Sequence, residues 1–222
     1  MPKSENLEAI RARLSEIHPV SRETMARLAL YRDLLVKWQA KTNLVSPTTL
    51  PDFWERHVAD SLQLAALKPQ ARSWTDLGSG GGFPGLVIAA TLAGEAGGIV
   101  RLVESNQKKC AFLRQAASRM VLPVDVINCR IESAAEQIEA AEVVSARALA
   151  PLTKLLEWSG EFLSGGRVAL FMKGRDFRRE IEDSHGDWKF DLVEHPSRID
   201  PAGCVLEIAN VSRRISRQVS SR

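Results

Sequence analysis

The chain has 222 residues, 45% hydrophobic and 26% charged, with a formal net charge of +3. This allows one large domain or one domain plus a smaller appendage and excludes a membrane span of ~20 apolar residues; the polar start Met1–Glu8 lacks the apolar stretch expected of a signal peptide. Cys110, Cys129 and Cys204 are odd in number and widely spaced, which excludes a disulfide framework and a zinc pattern and predicts a reducing cytoplasm, with no metal.

Residues 1–70 read as helical. Ser21 suits a helix cap, and Leu28, Tyr31, Leu35 and Trp38 repeat at helical spacing. Asn43 to Pro47 breaks the pattern. Pro51 then suits a helix start, and Phe53, Trp54, His57, Val58, Ser61 and Leu64 continue that helix to Lys68-Pro69. From Ser73 strands and helices alternate, as in a parallel α/β sheet. Strands are predicted near 74–78, 99–104, 124–129, 142–146, 167–172, 189–195 and 203–210. Helices are predicted near 84–93, 106–119, 132–139, 151–163 and 175–184. The last two strands are joined only by Pro196 to Gly203, which predicts an antiparallel hairpin at the sheet edge.

The first predicted strand runs into Asp76-Leu77-Gly78-Ser79-Gly80-Gly81-Gly82-Phe83-Pro84-Gly85. Glycines at a strand-to-helix turn let backbone N–H groups approach a nucleotide closely. The pattern G-x-G-x-x-G alone does not choose the ligand. Asp76 does bear on it: its carboxylate would repel a pyrophosphate and attract the ammonium and sulfonium of S-adenosylmethionine. Glu104, at the tip of the second strand, can accept both hydroxyls of a ribose, and fits NAD and S-adenosylmethionine equally. Asp76 as a mere turn cap and Glu104 as a solvent-exposed strand end are the plain alternatives.

Positive charge is clustered. Arg167, Lys173, Arg175, Arg178 and Arg179 face one acid between 167 and 179; Arg213, Arg214, Arg217 and Arg222 face none after 210. Such groups can neutralise RNA phosphates or simply coat a solvated face and tail. Lys173 ends the fifth strand, where parallel sheets bind ligands, so contact with phosphate or base is expected of it. His18, His185 and His195 lack metal-ligand spacing.

Asn43-Leu44-Val45, Arg56-His57-Val58-Ala59-Asp60-Ser61, the glycine run, Arg130-Ile131-Glu132, Ser145-Ala146-Arg147-Ala148 and Met172-Lys173-Gly174 occur in one order. In these motifs, from about Tyr31 to Val211, the chain resembles the RsmG family, also called glucose-inhibited division protein B. The resemblance implies a class I S-adenosylmethionine-dependent methyltransferase: a Rossmann-like, seven-stranded, mostly parallel sheet with an antiparallel edge hairpin. It would comprise a helical N-terminal cap (1–70), a cofactor domain (71–211) and a basic tail (212–222). It implies methylation of N7 of guanine 527 of 16S ribosomal RNA, in the small subunit or its assembly intermediate. Gly78 and Phe83 match the family's cofactor-loop positions, joined by Gly80 of the same turn. Ile131 and Glu132 match the pair flanking the adenine. Arg147 matches the arginine of an S-R-A motif, here spaced S-A-R-A. The resemblance places His57, Asp60 and Ser61 near the cofactor, where they could orient the guanine. Guanine N7 has a free lone pair and no proton, so the reaction needs alignment and no general base. An NAD-dependent oxidoreductase and a non-catalytic RNA-binding assembly factor are the rival readings; Asp76 opposes the first.

Overall fold

The computed structural model describes residues 6–163 and 165–214. Helix α1 (Leu7–Ser15) is capped by Asn6 and α2 (Arg22–Gln39) by Ser21, whose hydroxyl accepts the Thr24 amide at 3.0 Å. A π-helical turn, Phe53–Ala59, runs directly into α3 (Asp60–Leu67). Sequence periodicity does not separate a π-turn from an α-helix, and this one carries Arg56 and His57. Among the described residues no helix is long and apolar enough to cross a membrane.

The remaining chain alternates as the glycine and apolar signals predict. The elements are β1 (Ser73–Leu77), α4 (Gly85–Leu92), β2 (Ile99–Val103), α5 (Gln107–Met120), β3 (Val124–Ile127), α6 (Ala135–Glu139) and β4 (Val143–Arg147), then α7 (Leu152–Ser159), β5 (Val168–Lys173), α8 (Phe177–Ser184), β6 (Trp188–Pro196) and β7 (Cys204–Arg213). The helix expected over 132–139 is a 3-10 turn, Ile131–Ser133, followed by the short α6; that expected over 151–163 tightens to 3-10 at Gly160–Phe162. The sheet order is β3-β2-β1-β4-β5-β7-β6, parallel except for β7 and its hairpin partner β6. This is the class I methyltransferase layout with an edge hairpin.

Two cores line the two faces. One joins α2, the π-turn and α3 to α4, α5 and the strands through Tyr31, Phe53, Leu86 and Phe112; the other lies under α6–α8 around Phe171, Leu156 and Trp188. The N-terminal helices thus share a core with the cofactor half of the sheet. Polar contacts reinforce this. The fully buried Tyr31 hydroxyl donates to the Gly81 carbonyl. Gln39 accepts the Leu44 and Val45 amides at 3.0 and 3.1 Å, shaping a loop that lies against the glycine turn. A Cβ on Gly81 would come within 2.9 Å of the Leu44 carbonyl oxygen, so the approach of the two segments requires glycine there.

Candidate active site

Parallel β1, β2 and β4 end at the same sheet edge, which brings Gly78, Glu104 and Arg147 together from distant parts of the chain. A cavity of about 450 Å³ opens there. The glycine turn with Phe83 walls one side, and Arg56, His57 and Asp60 wall the other. Gly78 has φ +63, a conformation that glycine adopts freely and other residues rarely do.

Arg147 is the hub. One guanidinium nitrogen donates to the Arg56 carbonyl at 3.1 Å and pairs with Asp60 Oδ2 at 3.3 Å; another donates to His57 Nδ1 at 2.8 Å. Arginine can only donate, so Nδ1 is unprotonated and the ring proton sits on Nε2, which donates to Thr49 Oγ1 at 3.0 Å. His57 is neutral for a second reason: burial, with Arg147 and Arg56 beside it, lowers its pKa to about 4. Its ring stacks on Phe83 at 4.7 Å, and the Arg147 guanidinium lies 5.1 Å from the same ring. Burial raises the pKa of Asp60, and Arg147 opposes the shift. His57 and Asp60 of one motif and Arg147 of another therefore form one charged, hydrogen-bonded cluster. Ser61 is not part of the cavity wall. It is fully buried, and its hydroxyl turns back to donate to the His57 carbonyl at 2.6 Å.

Asp76 lies beneath the glycine turn, 1% exposed, and does not line the cavity. The register opposes it to Ser145, whose hydroxyl donates to Oδ1 at 2.8 Å. Oδ2 makes no hydrogen bond of ordinary geometry and faces the start of α4 at Gly85. Burial raises its pKa to about 6; Ser145, Ser79, the Gly85 amide and Arg147 oppose that rise. The two shifted groups act oppositely on folding. The raised pKa of Asp76 favours the fold below its ordinary value, and this contribution is lost as pH rises through about 6. The depressed pKa of His57 favours the fold above pH 6.5, and this is lost as pH falls through about 4.

Glu104 is 7% exposed, lies behind the cavity wall without lining it, and ties the site's backbone together: one oxygen accepts the Gly80 amide at 2.9 Å, the other the Asn106 amide at 2.8 Å. Gly80 thus lines the cavity while its amide is held from behind. Ile131 packs into the second core and Glu132 is exposed; neither lines this cavity. Thr49, Lys109 and Asp200 do, from segments that carry no motif of the site. Only Lys109 carried a legible signal, a cation in the first turn of the helix after β2. Among the described residues no cluster of three or more metal-ligating side chains occurs, and the three cysteines are free thiols whose pKa values burial raises.

The expected RNA-contacting cations divide. Lys173 is turned inward: its side chain is 8% exposed, donates to the Ala150 carbonyl at 2.8 Å and pairs with Glu180 at 2.5 Å. The same Glu180 oxygen accepts the Leu152 amide, so the pair braces β5 against α7 and α8. The expected contact of Lys173 with phosphate or base is corrected accordingly, because its ammonium is held by Glu180 and the Ala150 carbonyl. Replacing Lys173 by Ala should destabilise the fold by about 2–3 kcal/mol, because the carboxylate it leaves is part-buried; thermal unfolding measures this, and the salt slope of RNA binding should stay unchanged. Arg175, Arg178 and Arg179 are exposed at the site end of the sheet, the latter two pairing with Glu194 at 3.3 Å and Asp183 at 3.9 Å. Arg213 and Arg214 lie elsewhere. β7 starts opposite Lys173 and runs ten residues away from the site, about 30 Å at strand rise. Arg213 ends beside Trp188, and Arg214 donates to the Trp188 carbonyl at 3.2 Å. Arg217 lies outside the described residues.

Comparison with known proteins gives these features a family. The model of the GidB family, rRNA small subunit methyltransferase G, matches residues 24–199. Ribosomal RNA small subunit methyltransferase G of Brucella ovis and that of Brucella suis are each 53% identical over 195 residues, covering 88% of this chain and 92% of theirs. Among solved structures, the Bacillus cereus O-methyltransferase in complex with SAH superposes with a TM-score of 0.57 at 17% identity, covering 91% of this chain and 99% of that one. A variant of MtNAS in complex with S-adenosylmethionine gives 0.53 at 17%, covering 94% and 85%. Those two likenesses concern the fold; the match to the family model, with the 53% identity, shows that the chain belongs to the rRNA small subunit methyltransferase G family.

Proposed function

We propose that the protein transfers a methyl group from S-adenosylmethionine to N7 of guanine 527 of 16S ribosomal RNA. The observation that carries this reading is the 450 Å³ cavity shared by the glycine turn and the Arg147–His57–Asp60 cluster. The residues present fit the cofactor. The turn brings Gly78, Gly80 and Gly81 to the cavity wall, Asp76 places a buried carboxylate beneath it, and Glu104 uses two backbone donors out of about four lone-pair sites, leaving acceptors for a ribose.

When bound, S-adenosylmethionine supplies an electrophilic methyl on its sulfonium. Guanine N7 carries the lone pair that would accept that methyl group, and it has no proton to lose. No proton moves, so the chain need only orient and exclude water. His57 matches that requirement, since both ring nitrogens are already engaged and its face is stacked. N7 is hidden in the deep groove of A-form RNA, so the guanine must be looped out or displaced. Arg175, Arg178 and Arg179 are the cations best placed for phosphates near the mouth.

Single-turnover methylation with saturating enzyme and cofactor should vary by less than about threefold between pH 6.5 and 8.5, because no group must act as a general base. Nucleoside mass spectrometry should find 7-methylguanine. A product methylated at N1 or N2 overturns the assignment. A pH limb that disappears in an active His57→Ala enzyme would make His57 a proton-transfer group instead.

A further inference from the structure

Beyond the main cavity lies a second of about 170 Å³, along the ends of β4, β5 and β7. It shares Asp60, Arg147, Ala148 and Asp200 with the first; Met172 and Val205 add an apolar wall, and Lys173 lines it too, its ammonium already paired with Glu180. The volume equals about five or six waters of liquid, the scale of one flat heterocycle. The two cavities thus meet at Arg147, as they must if a methyl donor in one is to reach a base in the other.

The shared carboxylates stand out, since acids beside an RNA-binding mouth repel phosphate. Asp60 is committed: Gln63 donates to Oδ1 at 3.0 Å and Arg147 pairs with Oδ2. Asp200 is available. Its Oδ1 accepts the Ala202 amide at 3.0 Å, but its Oδ2 only faces Arg56 at 3.8 Å, with both side chains nearly half exposed. A pair so loose and wet opposes displacement little. The Asp200 loop is nevertheless fixed. Ser197 Oγ accepts the Ile199 and Asp200 amides at 3.2 and 3.1 Å, Gly203 donates to the Asp200 carbonyl at 2.8 Å, and Gln63 accepts the Arg198 amide at 2.6 Å. Gln63, through Asp60, links this loop to Arg147.

We propose that Asp200 reads the Watson–Crick edge of the target guanine held in this second cavity; the proposal rests on the methylation reading above. Guanine alone among the four bases presents two adjacent donors, N1–H and the 2-amino group, and they point away from N7. A carboxylate accepts such a pair bidentately, as it does an arginine fork. Adenine offers a lone pair at N1 and no 2-amino group, and would meet the carboxylate with repulsion. Asp200 is therefore a specificity-determining residue, and the positive mouth tolerates it because the base supplies the donors.

The test compares 16S RNA carrying guanine or inosine at the target position, assembled in small subunits, with wild-type enzyme and with Asp200→Ala. Inosine lacks only the 2-amino group. Wild type should prefer guanine by about tenfold or more in kcat/KM, as a site built to bond a donor rejects an analogue lacking it. In Asp200→Ala the preference should collapse to about twofold or less. A wild-type preference under twofold overturns the proposal without any variant, which keeps it falsifiable should Asp200→Ala fail to fold. A preference that survives in a folded, cofactor-binding Asp200→Ala protein overturns it too. Absence of any methylation of the guanine substrate by wild type would instead remove the methylation reading itself, and the proposal with it.

Discussion

Replacing Arg147 by Ala will lower single-turnover methylation by two to three orders of magnitude. Arg147 donates to His57 Nδ1, Asp60 and the Arg56 carbonyl, and approaches the Phe83 ring. Hydrogen bonds that involve a charged group are each worth about 1.5–3 kcal/mol, and losing several at once unfastens the wall of the cavity. Asp60 would keep a buried charge without its cation, so its pKa should rise further; the present opposition to burial comes first from Arg147. Lysine at 147 should restore little, because one ammonium does not span the fork that reaches both His57 and Asp60. Cofactor titration with single-turnover kinetics checks this. Methylation within about tenfold of wild type in Arg147→Ala would show that the cluster does not organise the site.

Glu104→Ala should weaken S-adenosylmethionine binding by about 1–3 kcal/mol for the lost charge-assisted ribose bonds alone. A further loss is expected from the protein itself. The carboxylate holds Gly80 and Asn106 by their amides, at 2.9 and 2.8 Å, and alanine leaves both donors without it. Glu104→Gln separates the effects: its amide oxygen can keep one backbone donor, while its NH2 would face the other. Calorimetry for affinity and thermal melting for stability measure the two losses. Unchanged affinity in a folded Glu104→Ala protein would remove Glu104 from the cofactor site.

The α/β half was legible because apolar runs, glycine turns and short connections punctuate it from Ser73 onward, and the edge hairpin followed from the short Pro196–Gly203 link. What escaped was side-chain geometry across distant segments. Arg147 and His57 are ninety residues apart and meet only because β4 ends beside the π-turn. Lys173 looked free because its partner lies a helical turn into α8, and a strand-end lysine carries no local sign that the chain folds back over it. The charge of Arg213 says nothing of its place, which the antiparallel run of β7 sets at the far end of the sheet. Asp200 sat in what reads only as a connection.

The joint between α2 and the glycine turn has a consequence for dynamics. Tyr31 donates to Gly81, and the Leu44 carbonyl lies too close to Gly81 to admit a methyl group. The turn therefore cannot open without loosening the helix above it. A ligand that rigidifies the turn should slow amide hydrogen exchange in the middle of α2, several residues from any atom it touches, by stabilising the closed form over local opening. Occupancy of the cofactor cleft would then be readable at the N-terminal helices, and the two halves of the molecule would breathe as one.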